Sequence, residues 1–287
     1  MNDTSIQNLV HFINTIPHRC FSTTIFPSCY HTEMKTQAII FDLDGTAVDS
    51  PVQKLPTPRL IQAIQNLQQH YYLCAATGRC WTFAKQIVRA LHLEDLCIIS
   101  AGTQICDPKT GAILWQKNIP ANALKEVIAV FSENESQKII FNDYTEDDYF
   151  YGGVLPKEFS FSQEVNWMSQ SFVPDELAIQ LHQKLSQILG ITCVMVVSQK
   201  PGCRDLHIVN DRATKEHAIA ELLQRLGVHK KDTIGIGDGH NDLHLFQAVE
   251  RKVAMGNAVT ILKQNADLII DSVQNDGLAQ YFESLYE

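Results

Sequence analysis

The first strong signal along the chain is a run of four apolar residues, Ala38-Ile39-Ile40-Phe41, which reads as a buried strand. Residues 58–70 then place Leu60, Ile61, Ile64 and Leu67 at helical spacing, with Pro58 near the helix start, and Tyr72 to Ala76 reads as the next strand. Phe83, Ile87, Val88 and Leu91 mark a second helix, and Cys97-Ile98-Ile99 a third strand. Strands separated by helices of this length predict parallel pairing through right-handed crossovers. The rhythm returns near the end: a helix over 214–227 with Ala218, Ile219, Leu222, Leu223 and Leu226 on one face, a strand at Thr233–Gly237, and short runs at Lys252–Met255 and Leu268–Ile270. Both ends therefore predict one parallel α/β sheet.

The stretch between them has another character. It carries strand-like runs at Ala112–Trp115, Lys138–Phe141 and Ile191–Val197, helices near 121–132 and 175–189, and a long polar loop over 142–153. This reads as an α+β domain inserted after the third strand, above the carboxyl ends of the sheet, where open α/β sheets bind ligands. The expected organisation is an N-terminal extension over 1–34, disordered or loosely packed, a core made of 35–104 and 206–287, and an inserted domain over 105–205.

Composition narrows the classes. The chain has 287 residues, 45% hydrophobic and 19% charged, with 23 Lys+Arg against 32 Asp+Glu and a formal charge of −9. That balance disfavours nucleic acid and anionic membrane surfaces as partners. No apolar run approaches the roughly 18 to 20 residues of a membrane span, and no secretory pattern opens the sequence. The cysteines, at 20, 29, 74, 80, 97, 106, 193 and 203, form no CxxC pair. They predict a reduced, cytoplasmic protein.

Four features stand at the carboxyl ends of predicted strands or at helix starts: Asp42 and Asp44, Thr77-Gly78-Arg79, Lys215, and Gly237-Asp238-Gly239-His240-Asn241-Asp242. In a parallel sheet they converge on one crevice. Asp42 is suited to be a nucleophile and Asp44 an acid and base, while Gly45 permits a tight turn. Asp238 and Asp242 are hard oxygen ligands of the kind Mg2+ takes. Thr77 offers a hydroxyl and Lys215 a point charge for phosphoryl oxygens. Singly, each has a plainer reading as a turn, a helix cap or a solvated lysine. A calcium loop fails, because its twelfth position is Gln53 counted from Asp42 and Val249 counted from Asp238.

Phe41-Asp42-Leu43-Asp44-Gly45-Thr46, Ala76-Thr77-Gly78-Arg79, Lys215 within RATKEHAIAELL, and GIGDGHND at 235–242 resemble the four motifs of the haloacid dehalogenase (HAD) superfamily. Their order, with the insertion between the second and third, resembles the Cof-type subfamily, as do Val253–Ala258 and the segment from Ala266 to Ala279. The resemblance implies a HAD-like Rossmannoid core with a parallel sheet and an inserted α+β cap. It implies a phosphatase in which Asp42 becomes an aspartyl phosphate and Asp44 serves the leaving alcohol and then water. It further implies Mg2+ on Asp42, Asp44 (through its backbone carbonyl), Asp238 and Asp242, with Leu43, Thr77, Gly78, Arg79, Asn241 and Lys215 around the phosphate. Ser100-Ala101-Gly102-Thr103 departs from the Asn-Gly-Ala common before the cap, and Glu216 stands where glycine is common.

The function expected is removal of phosphate from a small phosphorylated metabolite, a sugar phosphate being favoured. A sugar phosphomutase and a non-catalytic binding protein on the same fold remain as alternatives. Lys200, Arg204 and the acidic, aromatic loop 143–151 are candidate substrate contacts. Oligomeric state is not legible.

Overall fold

A computed structural model describes residues 35, 37–49, 55–133, 138–142, 164–198 and 200–286. The expected extension over 1–34 and the loop 143–151 lie outside them.

In chain order, the first half-core comprises β1 (Gln37–Phe41), α1 (Pro58–Leu67), β2 (Tyr71–Ala75), α2 (Trp81–Ala90) and β3 (Cys97–Ile99). A hairpin of β4 (Gln104–Cys106) and β5 (Ile113–Gln116) follows, then α3 (Ala121–Ser132), β6 (Lys138–Phe141), β7 (Trp167–Pro174), α4 (Asp175–Leu185), β8 (Ile191–Val197) and β9 (Cys203–Asn210). The chain returns through α5 (Lys215–Leu226), β10 (Thr233–Gly237), α6 (Asp242–Ala248), β11 (Arg251–Ala254), α7 (Thr260–Gln264), β12 (Leu268–Ile269) and α8 (Gly277–Glu283).

The main sheet has the order β12-β11-β10-β1-β2 and is parallel throughout. Ala38 to Phe41 are fully buried, as a central strand covered on both faces requires. Helices α1 and α8 cover one side, where Phe41 meets Phe282 edge to face at 5.8 Å. The chain leaves β1 towards β2 and comes back beside β1 as β10, so the strand order reverses there. That reversal opens a crevice at the carboxyl ends of β1 and β10.

β3 was expected as a third parallel strand. It touches the main sheet through one parallel bridge, Ala76 to Ile98, and otherwise pairs antiparallel with β4. The left-handed turn after it explains the change of direction: Ser100, Ala101 and Gly102 all have positive φ, which sends the chain back along its own strand.

The inserted cap is a four-stranded antiparallel sheet of order β6-β7-β9-β8. One face packs on α3 and α4 through Leu124, Phe131, Met168, Leu181, Leu206 and Ile208. The other face sets Ile140, Trp167 and Val209 against Ala101. β9 runs across the expected division at 205/206, because its alternation continues through Ile208 and keeps pairing with β8 as far as Asn210.

Candidate active site

Asp42 follows β1 directly, and its amide still donates to Ile236 O at 3.0 Å, continuing the ladder to β10. This holds its carboxylate, 5% exposed, at the sheet edge over the crevice. The next residues close a tight turn on Leu43 O, which accepts from the amides of Ala47 and Val48 at 2.9 Å. The Leu43 side chain is fully buried in the core, so only its backbone can reach a ligand. Gly45, at φ 75°, faces Asp238 so closely that a Cβ would run into its carboxylate.

Lys215 opens α5 and is 3% exposed. Its Nζ donates to Asp42 Oδ1 at 3.0 Å and to Asp242 Oδ1 at 2.7 Å. The other oxygen of Asp242 accepts from the amides of Asp238 at 3.0 Å and Gly239 at 2.9 Å. Asp242 thus ties the lysine to the loop after β10. Thr46 Oγ1 donates to Asp238 Oδ1 at 3.3 Å, and Asn257 Nδ2 donates to Gly45 O at 2.8 Å, stitching the loops after β1 and β11. Thr46 and Asn257 lie inside the motifs the sequence offered but carried no role there. Thr46 was findable as the hydroxyl residue closing the DxDGT turn; for Asn257 only its place in the closing segment was visible.

The acidic cluster is strongly perturbed. Burial pushes the Asp42 carboxyl well above its ordinary range; Lys215 opposes this, and Asp242, Asp238 and Asp44 add to it. Burial, with Asp242 next, pushes Asp238 up to about 7. Burial works to lower the Lys215 ammonium, but Asp242 and Asp42 outweigh it and hold it above the ordinary lysine range. Side-chain oxygens of Asp42, Asp238 and Asp242 lie within 4.8 Å of one another. Carboxylates crowded this closely, and held against ionisation by burial and by each other, fit a hard divalent cation. The bonds to the Asp242 oxygens are short, 2.7 to 3.0 Å, whereas those to the Asp238 oxygens are 3.3 and 3.4 Å, so the Asp238 carboxylate is held less tightly than that of Asp242.

Asp44 and Arg79 form a forked ion pair, Nε to Oδ2 at 2.8 Å and Nη2 to Oδ1 at 2.5 Å. Arg79 had been expected on phosphate or substrate; here it reaches the carboxylate. Thr77 is fully buried at the end of β2, with its amide bonded to Ile98 O at 2.9 Å and its Oγ1 accepting from Arg79 N at 3.1 Å. The hydroxyl proton has no acceptor among the hydrogen bonds of the described residues.

The departure at Ser100–Thr103 has a structural use. Ser100 N donates to Arg79 O at 2.8 Å and Ala101 N to Thr77 O at 3.2 Å, so the left-handed turn ties down the loop that carries Thr77. Gly102 packs on the start of α5, where a Cβ would come 2.6 Å from Lys215 N. Glu216 sits in the first turn of α5, favourable to the helix dipole.

Gly78, Asn241 and Lys215 line a cavity whose far wall comes from the cap. Arg204 is not brought there: it lies on the helical side of the cap sheet, and its Nε donates to Asp175 Oδ1 at 2.9 Å. Lys200 is exposed in the turn before β9.

Comparison with known proteins gives the family. The family model for haloacid dehalogenase-like hydrolases matches residues 39–282. Phosphoglycolate phosphatase 1 of Saccharolobus solfataricus is 40% identical over 248 residues, covering 86% of this chain and 94% of that protein. Pyridoxal phosphate phosphatase YbhA of Escherichia coli is 23% identical over 279 residues, 88% of this chain and 99% of its own length. Among solved structures, the HAD subclass IIB sugar phosphatase BT4131 superposes with a TM-score of 0.68 at 21% identity, over 87% of this chain and 99% of that one. The chain belongs to the haloacid dehalogenase-like hydrolases and is a Cof-type phosphatase of that family.

Proposed function

We propose that this enzyme is a Mg2+-dependent phosphohydrolase that removes phosphate from a small phosphorylated metabolite through an aspartyl phosphate on Asp42. The observation that carries the reading is the clamp of Lys215 on Asp42 Oδ1. It fixes one oxygen of a buried carboxylate and leaves Oδ2 to attack.

In the first step Oδ2 bonds to phosphorus as the ester P–O bond breaks, and Asp44 gives a proton to the departing alcohol. In the second, Asp44 takes a proton from water, whose oxygen bonds to phosphorus. The Asp42–phosphorus bond breaks, inorganic phosphate leaves, and the Asp42 carboxylate is restored. Arg79 sets the orientation of Asp44 through its two hydrogen bonds, and one of them must open for Asp44 to carry the proton it gives. Thr77, Asn241, Lys215 and the backbone at Leu43 and Gly78 would hold the phosphoryl oxygens. Mg2+, held by Asp42, Asp238 and the backbone carbonyl of Asp44, with Asp242 positioning them, would supply charge neutralisation for those oxygens.

The same reading takes 35–104 and the chain after β9 as the catalytic core and the stretch from 105 through β9 as the cap, so the return falls after Asn210 and not at the 205/206 division expected from the sequence. The family resemblance by itself favours a sugar phosphate as the substrate. Relatives named for phosphoglycolate and pyridoxal phosphate mark the range of small esters within the family. The six described cysteines are all free, as a reducing compartment leaves them, and we assign the cytoplasm. No helix among the described residues is long and apolar enough to cross a membrane.

The test is phosphate release from p-nitrophenyl phosphate and a panel of sugar, nucleotide and coenzyme phosphates, with Mg2+ or with chelator. The native chain is expected to release phosphate only with metal, and Asp42→Asn to release none. Equal turnover by Asp42→Asn would remove the aspartyl-phosphate route.

A further inference from the structure

The cavity over the phosphoryl site has two walls of different chemistry. On the core side stand Lys215, Asn241 and His244; on the cap side stand Val194, Val196, Val209 and His207. The cap wall follows from strand alternation. In the β8–β9 ladder Val194 is opposite His207 and Thr192 opposite Val209, so these side chains share one face. Cys193, Leu206 and Ile208 take the other and pack on the helices. Val209, with Trp167 and Ile140, rests on Ala101 of the core, which seats this face above the site.

No charged side chain of the described cap residues lines the cavity. Asp205 shares the face, but its Oδ1 accepts from Phe172 N at 2.8 Å and it is 7% exposed. Lys215 is already divided between two carboxylates. What polarity the wall has is neutral. The His207 ring stands edge-on to the Trp167 indole at 5.3 Å, and burial holds its pKa below the ordinary value against the pull of Asp205. Its partner across the ladder, Ser169, is fully buried, with a hydroxyl that has no hydrogen-bond partner among the described residues.

We propose that this cavity is the leaving-group pocket and that it selects phosphate monoesters of uncharged, ring-bearing alcohols, packed on Val194, Val196 and Val209 with one hydrogen bond to His207. The inference rests on the phosphatase reading and narrows its substrate, away from the sugar phosphate expected from the sequence. A polyol would press most of its hydroxyls against valine methyls, with few partners among the described residues beyond His207, Thr214 and His244 to offset their desolvation. A carboxylate or a second phosphate would find no uncommitted Lys or Arg among the described residues that line the cavity.

The test is kcat/KM of the full chain with Mg2+ on three ester series: benzyl phosphate and 3-pyridylmethyl phosphate, glucose 6-phosphate and glycerol 3-phosphate, and phosphoglycolate. Ring esters are expected to exceed both other classes by about tenfold or more. Val196→Asp should erase that preference. His207→Phe, which keeps a ring but no hydrogen bond, should raise KM for 3-pyridylmethyl phosphate more than for benzyl phosphate. Polyol or acid esters turned over as well as ring esters, or a preference untouched by Val196→Asp, would overturn the pocket while leaving the phosphatase standing. Release from no ester would instead sink the phosphatase reading. The pocket is then judged by calorimetry of the same esters on Asp42→Asn with its fold checked by circular dichroism: tighter ring esters support it, and tighter polyol esters or no binding overturn it.

Discussion

The guanidinium of Arg79 forks across the carboxylate of Asp44, with both side chains mostly covered. A planar fork fixes the carboxylate in position and in rotation, which a lysine ammonium cannot do. Arg79→Lys is therefore expected to lower kcat by about tenfold or more, the rate equivalent of about 1.4 kcal/mol, while the melting temperature moves by only a few degrees. Steady-state kinetics with a parallel thermal melt checks this. An unchanged kcat would mean that Asp44 finds its working position without the fork.

Lys215 separates two buried carboxylates, and neither Asp42 nor Asp242 has another cation within ion-pair distance among the described residues. Lys215→Met keeps most of the side-chain volume and removes the charge. The expected loss is about 3–5 kcal/mol of stability, because breaking a buried ion pair leaves uncompensated charge behind. Urea unfolding in chelator measures it, and a loss under about 1 kcal/mol would show that the carboxyls relax by taking up protons.

Gly102 has φ 101°, and a Cβ there would come 2.6 Å from both Lys215 N and Thr214 C. Gly102→Ala must move the start of α5, and with it the lysine. About a hundredfold loss in kcat/KM is expected, the scale of a displacement of about 1 Å at a reacting group. Gly202, at φ 73° in the turn between β8 and β9, has open space around it. Gly202→Ala is the control, costing about 1–2 kcal/mol of stability for the left-handed backbone and leaving activity intact.

The buried thiols give a pH prediction. Burial pushes Cys193 up to about 12, and burial together with Asp107 pushes Cys106 up to about 12, from an ordinary value of 9.0. A raised thiol contributes stability that is fully present below the unfolded value and is lost as pH rises through the folded one. Stability should accordingly fall between about pH 9 and 12, as the unfolded chain sheds protons that the folded chain keeps. At pH 8 iodoacetamide should label both cysteines slowly in the native chain and fast in urea, read by peptide mass spectrometry. Equal labelling rates in the two states would contradict the burial.

The parallel core was legible along the chain. The apolar run of β1, the helical period of α5 and the glycine-rich exit of β10 are local signals, and their order along the chain put Asp42, Lys215 and Asp238 at one sheet edge. The cap was less legible. Its central strand β7 buries Ser169, Gln170 and Ser171, so it shows no apolar alternation, and β9 interrupts its pattern with Arg204, Asp205 and His207. Partners were decided only by tertiary structure. Lys215 meets Asp42 across 173 positions of sequence, and Arg79 meets Asp44 across 35. Which side chain a charged group meets depends on how distant elements pack, and no period or spacing records that. The valine and histidine wall of the cavity is of the same kind: β8 was visible as a strand, but its register on β9 chose the face turned towards the site.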